Sequence, residues 1–257
     1  MDPTARFSDR VADYVKHRPG YPEALASTLR QELGISTGSV VADVGSGTGI
    51  STDMLLRLGC DVYAVEPNAD MRRAAEAQFS AEPRFHSVAG RAEATLLPDA
   101  SVDAVTAGQA FHWFDRDLAR GEFLRILRRR DGLVALFWNT RKIDGTSFLI
   151  AYEQLLQQYG TDYQQVNHRN VDPEALRAFF GGSYHAQVFD HEQVFDFDGL
   201  RGRLLSSSYV PGASHPNHAP MLAALRRLFD EHQRDGRVHF GYDTELFFGP
   251  LQAAGVD

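Results

Sequence analysis

The segment Val40-Val41-Ala42-Asp43-Val44-Gly45-Ser46-Gly47-Thr48-Gly49 constrains the fold more than any other part of the chain. An apolar run ending in an acid predicts a buried parallel strand. Three glycines on alternate positions then let the backbone turn sharply, with no side chain between loop and ligand. A helical pattern follows over residues 51–58, so its N-terminal amides face whatever the loop holds. Strand, glycine turn and helix in that order open a doubly wound α/β sheet with a nucleotide-type ligand over the turn.

The rest of the chain continues this rhythm. Strands are predicted at 40–44, 62–65, 84–88, 102–106 and 133–138, with helices at 51–58, 70–79 and 115–130. Residues 7–34 read as N-terminal helices, broken where Arg18-Pro19-Gly20-Tyr21-Pro22 forces a turn. After Asn139 the pattern changes to a helix at 147–160 and strand material at 185–196. A helical, proline-broken stretch at 198–235 and an alternating strand at 238–248 complete it. We expect one domain over 1–257 whose parallel sheet ends in an antiparallel pair at one edge. Residues 1–38 would form a helical lid, 39–140 the cofactor-binding core, and 141–257 the sheet edge with a cap inserted at about 198–235.

Composition narrows the partners. A formal net charge of -8 over 257 residues argues against non-specific nucleic-acid binding. Arg125, Arg128, Arg129 and Arg130 read as the last turn of a helix, where cations meet the negative end of the dipole. The single Cys60 leaves no disulfide or zinc framework, and no metal site is expected; it reads as a small buried residue. Neither a leader-like N-terminus nor a membrane-length apolar run stands out, so no membrane partner and a cytoplasmic location are expected. Oligomeric state is not legible.

Four features fall at strand ends in the order suited to one adenosine-containing ligand. The glycine loop with Asp43 comes first. Glu66 follows strand two, where a carboxylate can accept from both ribose hydroxyls. In Gly90-Arg91-Ala92-Glu93 a carboxylate can accept from an adenine amino group. The run Gly108-Gln109-Ala110-Phe111-His112-Trp113-Phe114 after strand four would face the reacting atoms.

These motifs resemble those of the class I S-adenosylmethionine-dependent methyltransferases. Residues 43–49 match the family's first motif and Glu66-Pro67-Asn68 its acidic second. Residues 90–93, with Leu97-Pro98-Asp99 and Ser101-Val102-Asp103, resemble its third motif and the entry to strand four. The runs Ala110–Phe114 and Tyr14…Arg18-Pro19-Gly20-Tyr21-Pro22 are similar to those of trans-aconitate-methyltransferase-like small-molecule enzymes. The resemblance covers residues 7–140 well and the remainder poorly. It implies a seven-stranded Rossmann-like sheet, S-adenosylmethionine as cofactor and a small-molecule acceptor.

By that resemblance Gly45 and Gly47 line the methionine part, with Asp43 near its ammonium, and Ser46, Gly49 and Pro67 are further cofactor-binding residues. Glu66 holds the ribose, Ala92 (backbone) and Glu93 read the adenine edge, and Gln109 lies near the methyl. A NAD-dependent oxidoreductase is the rival reading. Its fingerprint needs Gly-x-Gly-x-x-Gly, and Ile50 stands where the third glycine belongs. A non-catalytic cofactor-binding module is the third.

Methyl transfer is an in-line displacement, so the enzyme's task is to align the acceptor and exclude water. Oxygen of a carboxylate or hydroxyl is the expected acceptor atom. His112 is the candidate base, since imidazole titrates near neutrality. Trp113 and Phe114 are candidates for walls of the methyl or acceptor pocket. Tyr14, Arg18 and Tyr21 would close over the cofactor, and Asn139 and Arg141 would stand at the acceptor rim. Tyr209, Pro211, Met221 and Leu222 could line an apolar acceptor pocket.

Overall fold

The computed structural model describes residues 18–129, 131–161, 163, 172–207 and 209–252. Seven strands form one sheet in the order β3-β2-β1-β4-β5-β7-β6. They are β1 (Val40–Val44), β2 (Asp61–Val65), β3 (Phe85–Val88), β4 (Ala104–Gly108), β5 (Leu133–Arg141), β6 (His185–Phe195) and β7 (Val238–Pro250). The first five are parallel neighbours, whereas β7 runs antiparallel to both β5 and β6. The doubly wound sheet with its antiparallel edge pair is therefore present.

Eight helices alternate with these strands among the described residues: α1 (Glu23–Leu33), α2 (Ile50–Arg57), α3 (Ala69–Gln78), α4 (Arg116–Ile126), α5 (Ser147–Tyr159), α6 (Pro173–Phe180), α7 (Phe197–Leu205) and α8 (His218–His232). Period-two burial in the strands sorts their side chains onto two faces. Val41, Val62, Ala135 and Phe137 pack with α1 and α2, while Ala42, Val105, Leu136 and Trp138 pack with α4 and α6. A third apolar cluster joins α5, α7 and α8 to the ends of β6 and β7. None of the described helices is long and apolar enough to cross a membrane.

Several predicted boundaries move, each for a local reason. The expected strand at 102–106 starts at Ala104 and runs to Gly108, because Val102 instead pairs with Leu127 in an isolated parallel bridge. That bridge ends α4 at Ile126, not at 130, as Leu127 turns extended and the Arg128 N–H donates to the Val102 carbonyl. The basic run is thus mostly beyond the helix, and its described members meet acids. Arg125 binds Asp99 and Glu122, Arg128 binds Asp103, and Arg129 binds Asp131. The stretch 198–235 resolves into α7 and α8. Helix α6 was not foreseen, although Asp172 caps it, Pro173 opens it and Gly181 closes it in the left-handed conformation. Cys60 is buried, and burial pushes its thiol up to about 11.

Candidate active site

The strand order places the topological switch point between β1 and β4, and the crevice opens beyond their carboxyl ends. A cavity of about 600 Å³ lies there, within the range of ligand pockets. Segments following β1, β2, β3 and β4 all contribute to its wall, joined by residues 18–21 ahead of α1.

Gly45, Ser46, Gly47, Thr48 and the start of α2 form one side. The loop is pinned to the end of β2, since the Gly45 and Ser46 N–H groups donate to the Val65 carbonyl at 2.8 and 3.2 Å. Gly45 sits at φ 71°, and a Cβ there would stand 2.5 Å from the Ala110 Cβ. Only glycine satisfies both the turn and that approach. The hydroxyls of Ser46 and Thr48 are buried and find no hydrogen-bond partner among the described residues. Buried polar atoms without partners are rare in proteins, and both residues line the cavity. A polar ligand would satisfy them.

Glu66 is 7% exposed and lines the same cavity. Its Oε2 accepts from the Gly47 N–H at 2.9 Å and its Oε1 from the Asn68 N–H at 2.7 Å. Burial pushes its carboxyl up, against the two backbone hydrogen bonds and Arg72, which favour the charge. A carboxylate has about four acceptor positions, so two remain for a diol. Asn68 meanwhile caps α3 by accepting from the Asp70 and Met71 N–H groups, which brings Met71 to the wall. Pro67 lines it too.

Ala92 and Glu93 follow β3 and reach the cavity. Glu93 Oε1 accepts from the Asp115 N–H at 2.8 Å, tying this turn to the cap of α4. After β4, Gln109 adopts φ 57° and donates through Nε2 to the Asn139 carbonyl at 3.1 Å. The predicted loop at 111–113 is a single 3-10 turn. It presents His112 and Trp113 to the cavity, with ring centroids 4.7 Å apart, and Phe114 follows. Arg18 and Tyr21 line the opposite wall; Tyr21 packs edge-on against Phe137 at 4.7 Å.

Four expected site residues stand elsewhere. Asp43 is fully buried behind the loop and off the cavity wall. Its carboxylate accepts from Ser51 Oγ and Thr52 Oγ1 at 2.7 Å each and from Thr106 Oγ1 at 3.2 Å. It fastens α2 and β4 to β1. Gly49 also lies off the wall; at φ 91° it lets α2 begin 2.5 Å from the Phe79 ring, measured from the position its Cβ would take. Asn139 and Arg141 are not rim residues because β5 extends to Arg141 rather than ending at 138. Asn139 donates to the Gly20 carbonyl at 2.8 Å and accepts from Thr244 Oγ1 at 2.6 Å. Arg141 is buried against Glu153, donates to Tyr163 Oη at 2.7 Å and lies 5.4 Å from the Tyr152 ring centroid. Tyr14 lies outside the described residues. Of the four residues suggested for the acceptor pocket, Tyr209 lines the cavity, whereas Pro211 does not and Met221 and Leu222 pack into the third apolar cluster. Sequence reasoning missed Met71, Asp115 and Leu118 on the wall, and the α3 register that aims Met71 inward was the one signal for it.

An acid after β2, a glycine turn after β1 and a second acidic turn after β3 define a doubly wound protein built around an adenosine-type ligand. The methyltransferase domain family model matches residues 42–136. An uncharacterised methyltransferase of Geobacillus sp. is 31% identical over 157 residues, covering 58% of this chain and 72% of that one. An uncharacterised methyltransferase of Mycobacterium tuberculosis is 38% identical over 140 residues, 54% of each chain. Among solved structures, a protein of Anaeromyxobacter dehalogenans assigned as a type II methyltransferase superposes with TM-score 0.65 at 24% identity. The match covers 91% of this chain and 98% of that one, and it supports the fold. The chain belongs to the class I S-adenosylmethionine-dependent methyltransferases. It spans about half the length of the Schizosaccharomyces pombe and mycobacterial relatives it matches.

Proposed function

We propose that this protein transfers the methyl group of S-adenosylmethionine to a small-molecule acceptor, at an oxygen, by in-line displacement. The observation that carries the reading is the pair of unpartnered hydroxyls, Ser46 and Thr48, beside Glu66 in one cavity. They fit a ligand with a polar amino-acid end and a ribose. Gly45, Gly47 and the start of α2 would hold the first, Glu66 the second, and Ala92 with Glu93 the base. The ligand supplies a sulfonium methyl, an electrophile that needs alignment more than activation.

The chain's own residues do the rest. Gln109 and the turn at His112 bound the side where the acceptor approaches. His112 is the proposed catalytic residue of that turn, and Trp113 and Phe114 are proposed walls against water. Arg18 and Tyr21 belong to the proposed lid, and α7 with α8 to the proposed cap of a single domain over 1–257.

Calorimetric titration with S-adenosylmethionine, S-adenosylhomocysteine and NAD tests the reading directly. Heat from both sulfur ligands and none from NAD is expected; binding of NAD alone would overturn it. In a His112→Ala variant cofactor affinity should persist while turnover falls, and full activity at every pH would remove His112 from the chemistry.

A further inference from the structure

Among the described residues beyond β5, Tyr209 alone reaches the cavity wall. Its surroundings are unusual in charge. Arg203 of α7 lies behind it, 5% exposed, donating to Tyr242 Oη at 2.9 Å and to Ser207 Oγ at 3.1 Å. The Arg203 guanidinium stands 5.5 Å from the Phe240 ring centroid, and among the described residues no carboxylate pairs with it. A buried cation without a countercharge is costly to fold around. Arg141 faces the same cluster, but Glu153 answers it. Arg18 joins from the N-terminal side, donating to the Ser206 carbonyl at 3.0 Å.

Three guanidinium groups therefore bear on the Tyr209 hydroxyl, and Glu153, an acid of the same cluster, is committed to Arg141. Three further tyrosines share the cluster. The Tyr163 ring lies tilted against that of Tyr209, centroids 5.0 Å apart, while burial pushes Tyr152 and Tyr242 up despite Arg203. Tyr209 behaves oppositely. Burial pushes it up as well, but Arg203, a hydrogen bond from Ser207, Arg18 and Arg141 together bring it below the ordinary tyrosine range. Its backbone is pinned too, its carbonyl accepting from the Thr161 N–H at 3.0 Å.

We propose that Tyr209 takes the proton of a neutral hydroxyl acceptor, with the buried Arg203 as the positioning residue whose charge answers the phenolate. The acceptor O–H bond breaks as its proton passes to Tyr209 Oη. The oxygen lone pair forms the new O–CH3 bond while the S–CH3 bonding pair leaves with sulfur. Tyr209 then returns the proton to solvent. A carboxylate acceptor would need no such group, so the cluster selects alcohols or phenols. The reaction rests on the methyl-transfer reading; the ionisation of Tyr209 does not.

The first test therefore needs no substrate. Near-ultraviolet titration of the tyrosinate band should show one tyrosine ionising ahead of the rest. That step should vanish in Tyr209→Phe and move to higher pH in Ser207→Ala, which leaves every charge in place. Superimposable early titrations of wild type and Tyr209→Phe would overturn the proposal. With a phenol or alcohol acceptor, Tyr209→Phe should lower kcat about 100-fold or more, with unchanged affinity for S-adenosylmethionine. The rising limb of the pH–rate profile should be lost in Tyr209→Phe and kept in His112→Ala; the reverse assigns the proton to His112 and overturns it. Absence of S-adenosylmethionine binding with the tyrosinate step present would instead fault the methyl-transfer reading alone.

Discussion

Glu66→Gln separates ligand recognition from folding at this site. The carboxylate has two oxygens, each already accepting one backbone N–H, from Gly47 at 2.9 Å and Asn68 at 2.7 Å. Its remaining acceptor positions are those offered to a ribose diol. Glutamine keeps one oxygen and replaces the other with an amide that only donates. One backbone N–H then faces a donor, and one of the two ribose hydrogen bonds is lost. A hydrogen bond to a charged group is worth about 1.5–3 kcal/mol, which predicts a Kd raised about 10- to 100-fold. Stability should change little. The unsatisfied N–H costs about 1–3 kcal/mol, but removing a buried charge offsets part of it.

The pH dependence has a definite sign. Burial raises the Glu66 carboxyl above its ordinary value of 4.5. Between that value and the raised one, the folded protein holds a proton that the unfolded chain has released. Stability of the ligand-free protein therefore falls as pH rises through this window. Ligand binding favours the carboxylate, so affinity for S-adenosylhomocysteine should climb over the same window and then level. In Glu66→Gln the climb should disappear. Calorimetry across pH reads both effects. A Kd within twofold of wild type, or the same pH slope in both proteins, would refute a direct ribose role.

Four further substitutions, at three positions, probe the scaffold. Gly45→Ala combines the left-handed backbone at φ 71° with a Cβ 2.5 Å from the Ala110 Cβ. It should cost about 2–5 kcal/mol in urea denaturation, and a loss below about 1 kcal/mol would mean the loop relaxes freely. Asp43→Ala strips the acceptor from Ser51, Thr52 and Thr106 and should cost about 1–3 kcal/mol. Asp43→Asn should bind S-adenosylhomocysteine nearly as wild type; a loss matching that of Glu66→Gln would place Asp43 in the ligand site after all. Arg141→Met leaves Glu153 without its guanidinium, so stability should fall by about 3–5 kcal/mol with cofactor Kd unchanged. A loss below about 1 kcal/mol would mean that the buried Arg141–Glu153 pair does little to hold the fold.

What the chain discloses about itself follows the range of the forces involved. Residues 40–49 are legible because strand burial, glycine turn and helix start are all set within a few residues. The structure keeps them in register, with β1 at Val40–Val44 and α2 from Ile50. Glu66 is legible for the same reason, as the residue that follows β2. Asp43 shows where such reading fails. An acid at a strand end looks equally suited to a ligand ammonium or to three hydroxyls, and only the approach of Ser51, Thr52 and Thr106 decides between them. Arg141 fails similarly. Its strand continues because β7 pairs Tyr242 opposite it, a partner 101 positions away in sequence. The same long-range assembly gathers Arg18, Arg141, Arg203 and Tyr209 from the N-terminal segment, β5, α7 and the turn after it. No local spacing marks that convergence, although it brings Arg18 and Tyr209 to the same cavity. The glycine loop and Glu66 are thus written in contiguous motifs, and the surroundings of Tyr209 in contacts between distant segments. The proposed acceptor side therefore has to be tested at Tyr209 and the charges around it, where no contiguous motif points.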